Sequence, residues 1–236
     1  MHFLVTAGNT QEMIDRVRQW SNIFTGTTGL NIARALTELG SVELLTSNRQ
    51  HLAEITAKND PRLTAEWFGS HADLREKLAR KMGAGPYDAV FMSAAVADYR
   101  PAGVFSVVSR QPTGVDGQEQ WIVQNVQAGK VKSNFREIAI LGNQTEKLVD
   151  LFRGEWKHRG MLVKFKLEVG LTPQQLIAIG QASRKASGAE YLVANTLDMV
   201  EGDRAGAYLL SEAGEEWVPR GELPERLVRV VREHLG

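Results

Sequence analysis

The sequence contains no cysteine among its 236 residues. Disulfide bonds, thiolate metal sites and a cysteine nucleophile are therefore all excluded. Lysine plus arginine and aspartate plus glutamate each number 28, so the formal net charge is zero. A chain without excess positive charge lacks the broad basic face typical of nucleic-acid binding, although a local basic pocket for phosphate groups is compatible with this balance. We therefore expect no nucleic-acid partner.

Long apolar runs are also missing from the sequence. No hydrophobic stretch approaches the roughly 20 residues that a membrane-spanning helix needs. The chain opens on a short apolar run at residues 2–5, without the basic and longer apolar regions of a signal peptide. These absences predict a cytoplasmic protein with no membrane partner. The length and the 43% hydrophobic content allow a large core, and we expect residues 1–236 to form a single domain.

Short apolar runs alternate with helical patterns along the chain. Strands are predicted at residues 3–6, 42–46, 64–68, 89–94, 138–141, 161–167, 191–194 and 207–210, the last as an edge strand. Helices are predicted at residues 29–39, 70–82, 145–156 and 223–235, and after the capping pattern that begins at Thr172. Strand–helix alternation of this kind predicts a parallel sheet with right-handed crossovers.

One stretch departs from this alternation. Residues 104–109 and 120–126 are rich in β-forming side chains and flank a turn-forming segment at 111–117. The pattern predicts a β-hairpin arm over about residues 102–128, whose role is open. The predicted fold class is therefore α/β, a doubly wound, mostly parallel, Rossmann-like sheet with a protruding β-hairpin arm.

The loop after the first predicted strand is rich in glycine. Gly8 lies just beyond that strand, and Gly26 and Gly29 precede the next helix. Ligands of open α/β sheets bind beyond the carboxyl ends of the strands, so backbone N–H groups of this loop and the positive end of the helix are suited to bind phosphate oxygens. A long glycine-rich turn without a ligand accounts for the same spacing equally well.

Two alternatives follow from this loop. It is not a G-x-G-x-x-G motif, and the second strand ends in Ser47-Asn48-Arg49 with no acidic residue for a ribose 2'-OH, which argues against NAD. Arg49 suits the extra phosphate of NADP, so a short-chain-type reductase is one alternative. Such reductases need Tyr-x-x-x-Lys, which none of the four tyrosines provides. A non-catalytic nucleotide-binding protein of the same fold is the other.

Several polar residues suit the chemistry of an anionic substrate. Arg18 can bind a phosphate or carboxylate in bidentate fashion, and Asn22 can donate its amide to a developing oxyanion. Asp98 follows a run of small residues and suits ribose hydroxyls or Mg²⁺. Lys130 can meet a triphosphate as a point charge, and Phe165 can stack on a base. Solvated surface charges, a turn and a core aromatic residue are the simpler interpretations.

Taken in chain order, these segments resemble the phosphopantothenoylcysteine synthetase family, also called phosphopantothenate–cysteine ligase. The resemblance covers nearly the whole chain. It rests on Thr-Ala-Gly-Asn-Thr at 6–10, Ile-Asp-Arg-Val-Arg at 14–18, Ser-Asn with Thr-Gly and Gly within 21–29, Ala-Ala-Val-Ala-Asp-Tyr-Arg at 94–100, Lys-Val-Lys at 130–132, Phe-Lys-Leu-Glu at 165–168 and Val-Ala-Asn at 193–195.

The resemblance implies a ligase that joins 4'-phosphopantothenate to L-cysteine in coenzyme A biosynthesis. The carboxylate would first attack the α-phosphate of CTP, or of ATP as in eukaryotic members, giving an acyl-nucleotidylate (acyl-CMP) and pyrophosphate. The cysteine amine would then displace the nucleotide. The family further implies Mg²⁺ and a homodimer. Many bacterial members are fused to a flavin-dependent decarboxylase that this sequence does not contain, so we expect no FMN.

The resemblance also implies roles for individual residues, although the sequence departs from the family pattern at a few positions. Gly129 and the basic pair Arg184 and Lys185 depart from the family pattern, which has glutamate before the first lysine and lysines in a different register before Val-Ala-Asn. The implied catalytic residues are Asn22 and Lys130, the substrate-binding residues Arg18, Asn22 and Ala95, the metal-binding residue Asp98, and the nucleotide-binding residues Gly8, Gly26, Gly29, Met92, Ser93, Ala94, Asp98, Lys130, Glu146, Lys147, Leu148, Val149, Phe165 and Lys185.

Overall fold

The computed structural model describes residues 1–200, 202 and 205–236. Its helices and strands follow the alternation predicted from the sequence, with additional short strands in the loops. In chain order they are β1 (His2–Ala7), β2 (Gln11–Met13), β3 (Gln19–Ser21), α1 (Thr27–Leu36), β4 (Ser41–Thr46), α2 (Arg49–Lys58), β5 (Leu63–Trp67), α3 (His71–Ala84), β6 (Ala89–Met92), β7 (Tyr99–Pro112), β8 (Glu119–Asn125), β9 (Ile138–Gln144), α4 (Leu148–Leu151), β10 (Met161–Glu168), α5 (Pro173–Ser187), β11 (Tyr191–Thr196), β12 (Gly206–Ser211), β13 (Gly214–Pro219) and α6 (Leu223–Leu235).

An eight-stranded sheet lies at the centre, in the order β13-β12-β11-β10-β6-β1-β4-β5. The strands from β11 to β5 run parallel, while β12 and β13 add antiparallel to one side. Chain progress reverses direction between the neighbouring strands β1 and β6, which makes this the topological switch point where α/β proteins bind ligands. The predicted doubly wound, mostly parallel sheet is confirmed.

Helices cover both faces of the sheet because the central strands are apolar on both sides. Along β1, Phe3 and Val5 point to one face and Leu4 to the other, and all three are fully buried. Side chains of α1, α2 and α6 complete the first core, whereas α3 and α4 pack on the opposite face. Leu176 of α5 packs there against the outer strands. In the described residues, no helix is long and apolar enough to cross a bilayer.

The arm is larger than the predicted hairpin over about 102–128. The 14-residue strand β7 pairs antiparallel with β8 on one side and with β9 on the other, giving a three-stranded sheet. The strand predicted at 138–141 exists, but it belongs to the arm. The sequence pattern did not reveal this pairing because it joins strands separated by a long irregular segment.

Three further differences concern the edges of elements. Helix α2 was not predicted, since only His51 and Ile55 on it are buried and its apolar pattern is weak. The helix predicted at 145–156 is confined to α4, because Thr145 is held by hydrogen bonds to Ala97 and Asp98. The predicted edge strand at 207–210 is covered by β13, which forms the actual edge.

Two of the buried histidines, His51 and His158, have an imidazole pKa that burial lowers. His51 shares a 3.0 Å hydrogen bond between its Nδ1 and the Thr46 hydroxyl, and burial lowers the pKa of its imidazole. Burial likewise lowers the pKa of His158. The unfolded chain therefore takes up protons at a higher pH than the folded protein does.

We accordingly expect the free energy of unfolding to fall as the pH drops through about 6.5, by at most about 1.4 kcal/mol per pH unit for each histidine. The stability that these groups contribute is present above the unfolded pKa and is lost on acidification. Thermal melts at pH 7.5 and 5.5 measure the effect. The single variant His51→Asn is the comparison, because it removes the titrating group and should reduce the pH dependence. An unchanged dependence in this variant would contradict the assignment.

Candidate functional site

A cavity of about 220 Å³ opens at the carboxyl ends of β1, β6 and β10, on the side of the switch point. The predicted residues Gly8, Gly26, Gly29, Ser93, Ala94, Ala95 and Phe165 lie in its wall. The remaining wall consists of Phe24, Thr25, Thr27, Thr28, Lys166, Leu167, Val193, Asn195, Met199, Val200, Gly206, Ala207, Arg220 and Leu223.

Three glycines shape the floor of the cavity through close backbone packing. Gly8 and Gly26 have positive φ angles of 86° and 85°. A Cβ atom on Gly26 would lie 2.1 Å from the Gly8 backbone nitrogen, and one on Gly29 would lie 2.8 Å from the Thr6 carbonyl oxygen. Both distances are shorter than real Cβ contacts, so the fold itself requires glycine at these positions.

Helix α1 directs its amino terminus at the cavity. The first N–H groups of a helix have no acceptor within the helix, and they carry its partial positive charge. Gly26 occupies the cap position and offers no side-chain acceptor for them. Thr27, Thr28 and Gly29, which bear these N–H groups, line the cavity. The arrangement is suited to bind an anion such as a phosphate.

The exit of β6 is tied to β1 by short hydrogen bonds. The Ser93 hydroxyl donates to the Thr6 carbonyl oxygen at 2.6 Å, and the Ala94 N–H donates to the Thr6 hydroxyl at 3.1 Å. The Ala95 N–H donates to the Gly8 carbonyl oxygen at 2.8 Å. Met92 is buried in the core below, so of the predicted run only Ser93, Ala94 and Ala95 reach the cavity. Phe165 reaches it while also packing on the core.

Asn22 lies beside the cavity on an exposed loop. Its side-chain Nδ2 donates to the Ala95 carbonyl oxygen at 3.4 Å. Asn9 fixes this loop, because its Nδ2 donates to the carbonyl oxygens of Asn22 and Phe24 at 2.7 and 2.9 Å. The buried Asn9 Oδ1 has no hydrogen-bond partner in the described part of the chain. Asn9 thus positions Asn22, and neither cap nor periodicity signals identified that role in the sequence.

Asp98 lies outside the cavity wall, near the start of α4. Its side chain is 70% exposed and lies 3.4 Å from the Lys147 Nζ. Within the residues that the structure covers, no group of three His, Asp or Glu side chains could hold a metal ion. Asp98 could therefore contribute one carboxylate ligand to Mg²⁺, and the other ligands would have to come from phosphate oxygens and water, as is usual for this ion.

The other residues predicted at the start of α4 have structural roles. Glu146 forms an ion pair with Arg75 of α3 at 2.6 Å. Leu148 is buried in the core and Val149 packs against it. Of these four predicted nucleotide contacts, only the exposed Lys147 faces a candidate site residue.

Lys130 and Arg18 do not line the cavity, and Arg18 lies in the turn between β2 and β3. Lys130 is exposed and does not line the cavity. Arg18 pairs with the buried Asp15 and donates to the Val131 carbonyl oxygen at 2.8 Å. The guanidinium predicted to bind the substrate phosphate is therefore already used to hold the segment that follows Lys130.

Two basic residues from the sequence prediction lie elsewhere. Lys185 is in the last turn of α5, which leads to the amino-terminal end of β11, so within this chain it lies at the opposite edge of the sheet from the cavity. Its predicted contact with the nucleotide does not match this position. Arg49, on which the reductase alternative depends, packs over the Trp67 ring at 4.4 Å.

Arg220 is a cavity residue that sequence reasoning missed. It lines the wall opposite α1 and donates a hydrogen bond to the Val200 carbonyl oxygen. Its position depends on β13, a strand without a clear signal in the sequence, so no local pattern pointed to it. Arg220 supplies a cation to a cavity that otherwise has Lys166, whose ammonium pairs with Glu168 at 2.7 Å.

Comparisons with known proteins agree with this architecture. Residues 1–110 match the model of the family described as DNA/pantothenate metabolism flavoprotein C-terminal domain. The predicted resemblance to phosphopantothenoylcysteine synthetases is thereby confirmed.

The similar proteins carry related names. The coenzyme A biosynthesis bifunctional protein CoaBC of Thermococcus kodakarensis is 26% identical over 227 residues, which are 95% of this chain and 49% of that protein. The crystal structure of a DNA/pantothenate metabolism flavoprotein from Streptococcus pneumoniae is 26% identical, with a TM-score of 0.81 and 99% of both chains covered. A Cab2 variant in complex with phosphopantothenate-cysteine shares the fold, with a TM-score of 0.69, 16% identity and coverage of 98% of this chain and 85% of that one. The chain spans about half the length of the Thermococcus relative.

Proposed function

We propose that this chain is a nucleotide-dependent ligase that joins 4'-phosphopantothenate to L-cysteine in coenzyme A biosynthesis. The observation that carries the proposal is the cavity at the switch point, where the amino terminus of α1 and the exits of β1 and β6 converge. The names of the similar proteins favour this activity over the reductase and the non-catalytic alternatives, and the position of Arg49 over Trp67 gives the reductase no support.

The reaction requires a carboxylate to become a good acyl donor. In the proposed first step a carboxylate oxygen attacks the α-phosphorus of the nucleoside triphosphate, and the bond to pyrophosphate breaks. In the second step the cysteine nitrogen attacks the acyl carbon and the nucleoside monophosphate leaves, while the amine loses a proton. Both steps gather several negative charges, which positive groups and backbone N–H donors must stabilise.

The residues of this chain would divide this task. Backbone N–H groups at 27–29 would bind phosphate oxygens, and the small residues 93–95 would allow the nucleotide to approach the backbone. Phe165 would stack on the base. Asn22 would donate its amide to the acyl group, and Lys130 would neutralise the nucleotide phosphates. Asp98 would contribute a ligand to Mg²⁺, which when bound offsets phosphate charge.

The size of the cavity suits part of the substrate complex. Pockets that enclose a small ligand usually measure about 300–1,000 Å³, so a cavity of about 220 Å³ holds a portion of a nucleotide and leaves the rest in the open crevice. We propose CTP in preference to ATP. This preference rests on the family resemblance.

The decisive test is a pyrophosphate-release assay. Purified protein, 4'-phosphopantothenate, cysteine and Mg²⁺ are incubated in parallel with each of the four nucleoside triphosphates. Release that depends on both phosphopantothenate and one nucleotide supports the ligase, and mass spectrometry should show phosphopantothenoylcysteine as the product. Binding of a nucleotide without release in any mixture would instead identify a non-catalytic protein.

We further propose that the functional unit is a homodimer. The arm exposes a set of apolar side chains: Val108, Val115, Trp121, Ile122, Val123, Ile138 and Leu141 are each at least 40% exposed. Exposed apolar side chains concentrated in one part of a protein often mark an interaction site, and the arm of a second copy is the simplest cover for them. Light scattering should give twice the 26.1 kDa chain mass. A monomeric mass at assay concentrations would contradict the dimer.

A further inference from the structure

A buried carboxylate lies in the loop between β2 and β3, away from the cavity. The Asp15 side chain is fully buried. Its Oδ1 accepts the backbone N–H groups of Val17 and Arg18, both at 2.8 Å, and its Oδ2 accepts the Arg18 guanidinium. The same Oδ2 accepts the Val131 N–H at 3.1 Å, from a residue 116 positions later in the chain. The carboxylate therefore joins two distant segments.

Arg18 completes the connection from the other side. Its Nη2 donates to the Val131 carbonyl oxygen at 2.8 Å. The Asp15–Arg18 ion pair thus binds both backbone polar groups of Val131, whose side chain is also buried. Because Lys130 shares a peptide bond with Val131, the ion pair fixes the backbone immediately beside Lys130.

Neighbouring hydrogen bonds extend this contact toward the arm. The Arg16 N–H donates to the Gly129 carbonyl oxygen at 3.0 Å, and the Gln127 side chain donates to the Ile14 carbonyl oxygen at 3.1 Å. Residues 127–131 contain no helix or strand of their own. Their conformation is therefore set by the loop at 14–18 and not by local secondary structure.

We propose that Asp15 and Arg18 form a positioning clamp that sets the location of the Lys130 ammonium for the reaction. The inference rests on the proposed function only in the role of Lys130. It assigns Arg18 to the protein itself instead of to the substrate phosphate. A flexible lysine on an unstructured segment would lose much of its effect, since a misplacement of about 1 Å can lower a rate about a hundredfold.

The electrostatics of the pair suit a permanent clamp. Hydrogen bonds from the Arg18 side chain and from the Val17 N–H hold the pKa of Asp15 well below its usual range. The carboxylate is therefore ionised throughout the neutral range. The stability that this group contributes is present above its unfolded pKa near 3.8 and is lost only as the pH falls below that value.

The test uses Asp15→Asn and Arg18→Gln in the full-length chain. Asparagine has only one oxygen, so its NH₂ group would face either the backbone N–H groups of Val17 and Arg18 or the Val131 N–H together with the Arg18 guanidinium. Glutamine at position 18 removes the bond to the Val131 carbonyl and leaves Asp15 in place, which guards against a failure of the first variant to fold. Asp60→Asn is the matched control, because it breaks an Asp–Arg pair on the surface, 3.1 Å to Arg62, that does not contact residues 127–131.

Two measurements report on the clamp. Limited trypsin digestion measures directly how well residues 127–131 are held against the loop at 14–18, because the peptide bonds after Lys130 and Lys132 are tryptic sites. Steady-state kinetics of pyrophosphate release measure the effect of each substitution on the reaction rate. We expect both variants to be cut faster at these bonds, and kcat to fall by about ten- to a hundredfold with KM for phosphopantothenate changed by less than about threefold. Asp60→Asn should match the wild type in both.

Two outcomes would overturn the clamp. One is unchanged digestion after Lys130 and Lys132 in both variants. The other is a large rise in KM for phosphopantothenate in Arg18→Gln at unchanged kcat and digestion, which would return Arg18 to the substrate phosphate. If the wild type releases no pyrophosphate with any nucleotide, the proposed ligase fails, while the digestion experiment still decides whether the clamp exists.

Discussion

Replacement of Lys130 by glutamine is expected to lower the rate of pyrophosphate release by at least about a hundredfold, because removal of one group that stabilises transition-state charge typically costs that much. The lysine side chain is exposed and makes no hydrogen bond within the described residues, so the change should leave the melting temperature almost unaltered. A large loss of rate without a loss of stability is the signature of a group that acts on the substrate. Steady-state kinetics and a thermal melt of the same preparation measure both quantities.

Lys132→Gln is the matched control for this prediction. Lys132 is an exposed lysine two positions later in the same segment, so the substitution removes an identical charge from that segment. We expect this variant to retain a rate within about threefold of the wild type, because removal of one exposed charge screened by salt has a small effect. Equal losses in both variants would mean that general electrostatic attraction, and not a specific contact of Lys130, assists the reaction.

The substitution Asn22→Asp is expected to have the second large effect. It removes an amide donor and places a carboxylate 3.4 Å from the Ala95 carbonyl oxygen, beside a cavity proposed to hold phosphates. Loss of one oxyanion donor costs about a hundred- to a thousandfold in rate, and repulsion of an anionic substrate adds to that loss. Formation of phosphopantothenoylcysteine, followed by mass spectrometry, should fall accordingly. The hydrogen bond from the Asn9 side chain to the backbone of this loop should survive, since it uses the Asn22 carbonyl oxygen and not the Asn22 side chain.

Asn143→Asp serves as the control for the added charge. Asn143 is exposed on β9 of the arm and does not line the cavity, and the substitution changes the net charge by the same amount. It should leave turnover within about twofold of the wild type, as expected for a surface change screened by salt. A rate for Asn22→Asp that is close to that of Asn143→Asp would show that Asn22 does not donate to the reacting group.

The central sheet was predictable because its signals are local. Runs such as 42–46 and 161–167 have the length and composition of buried parallel strands. Helix α5 was predicted from a capping box with proline at the first helical position, and the structure contains both features. The arm was only partly predictable. Its first two strands are adjacent in sequence, whereas β9 returns to β7 after an irregular segment, and no local pattern specifies such a pairing.

The candidate site was likewise predictable where the signals are local and unpredictable where they depend on long-range contacts. Gly8, Gly26 and Ser93 were identified because strand ends of an α/β sheet meet at one edge, and the cavity lies there. Asn9 and Asp15 were seen only as members of motifs, because their positioning roles come from long-range hydrogen bonds, and Arg220 was missed because its place depends on β13. Arg18 was predicted to touch substrate from its residue type alone, and its buried partner, visible only in three dimensions, gives it another task.

The pairing of β1 and β6 does not stop where the sheet ends. Asn9 and Ala95 form one more parallel bridge, with the Thr10 N–H donating to the Ala95 carbonyl oxygen at 3.2 Å. Main-chain hydrogen bonds thus continue past the end of the sheet to Ala95, whereas the loop at 22–24 is held by the Asn9 side chain. The backbone at Ala95 is therefore fixed by an extension of the sheet itself, whereas the position of Asn22 depends on a single side chain, that of Asn9.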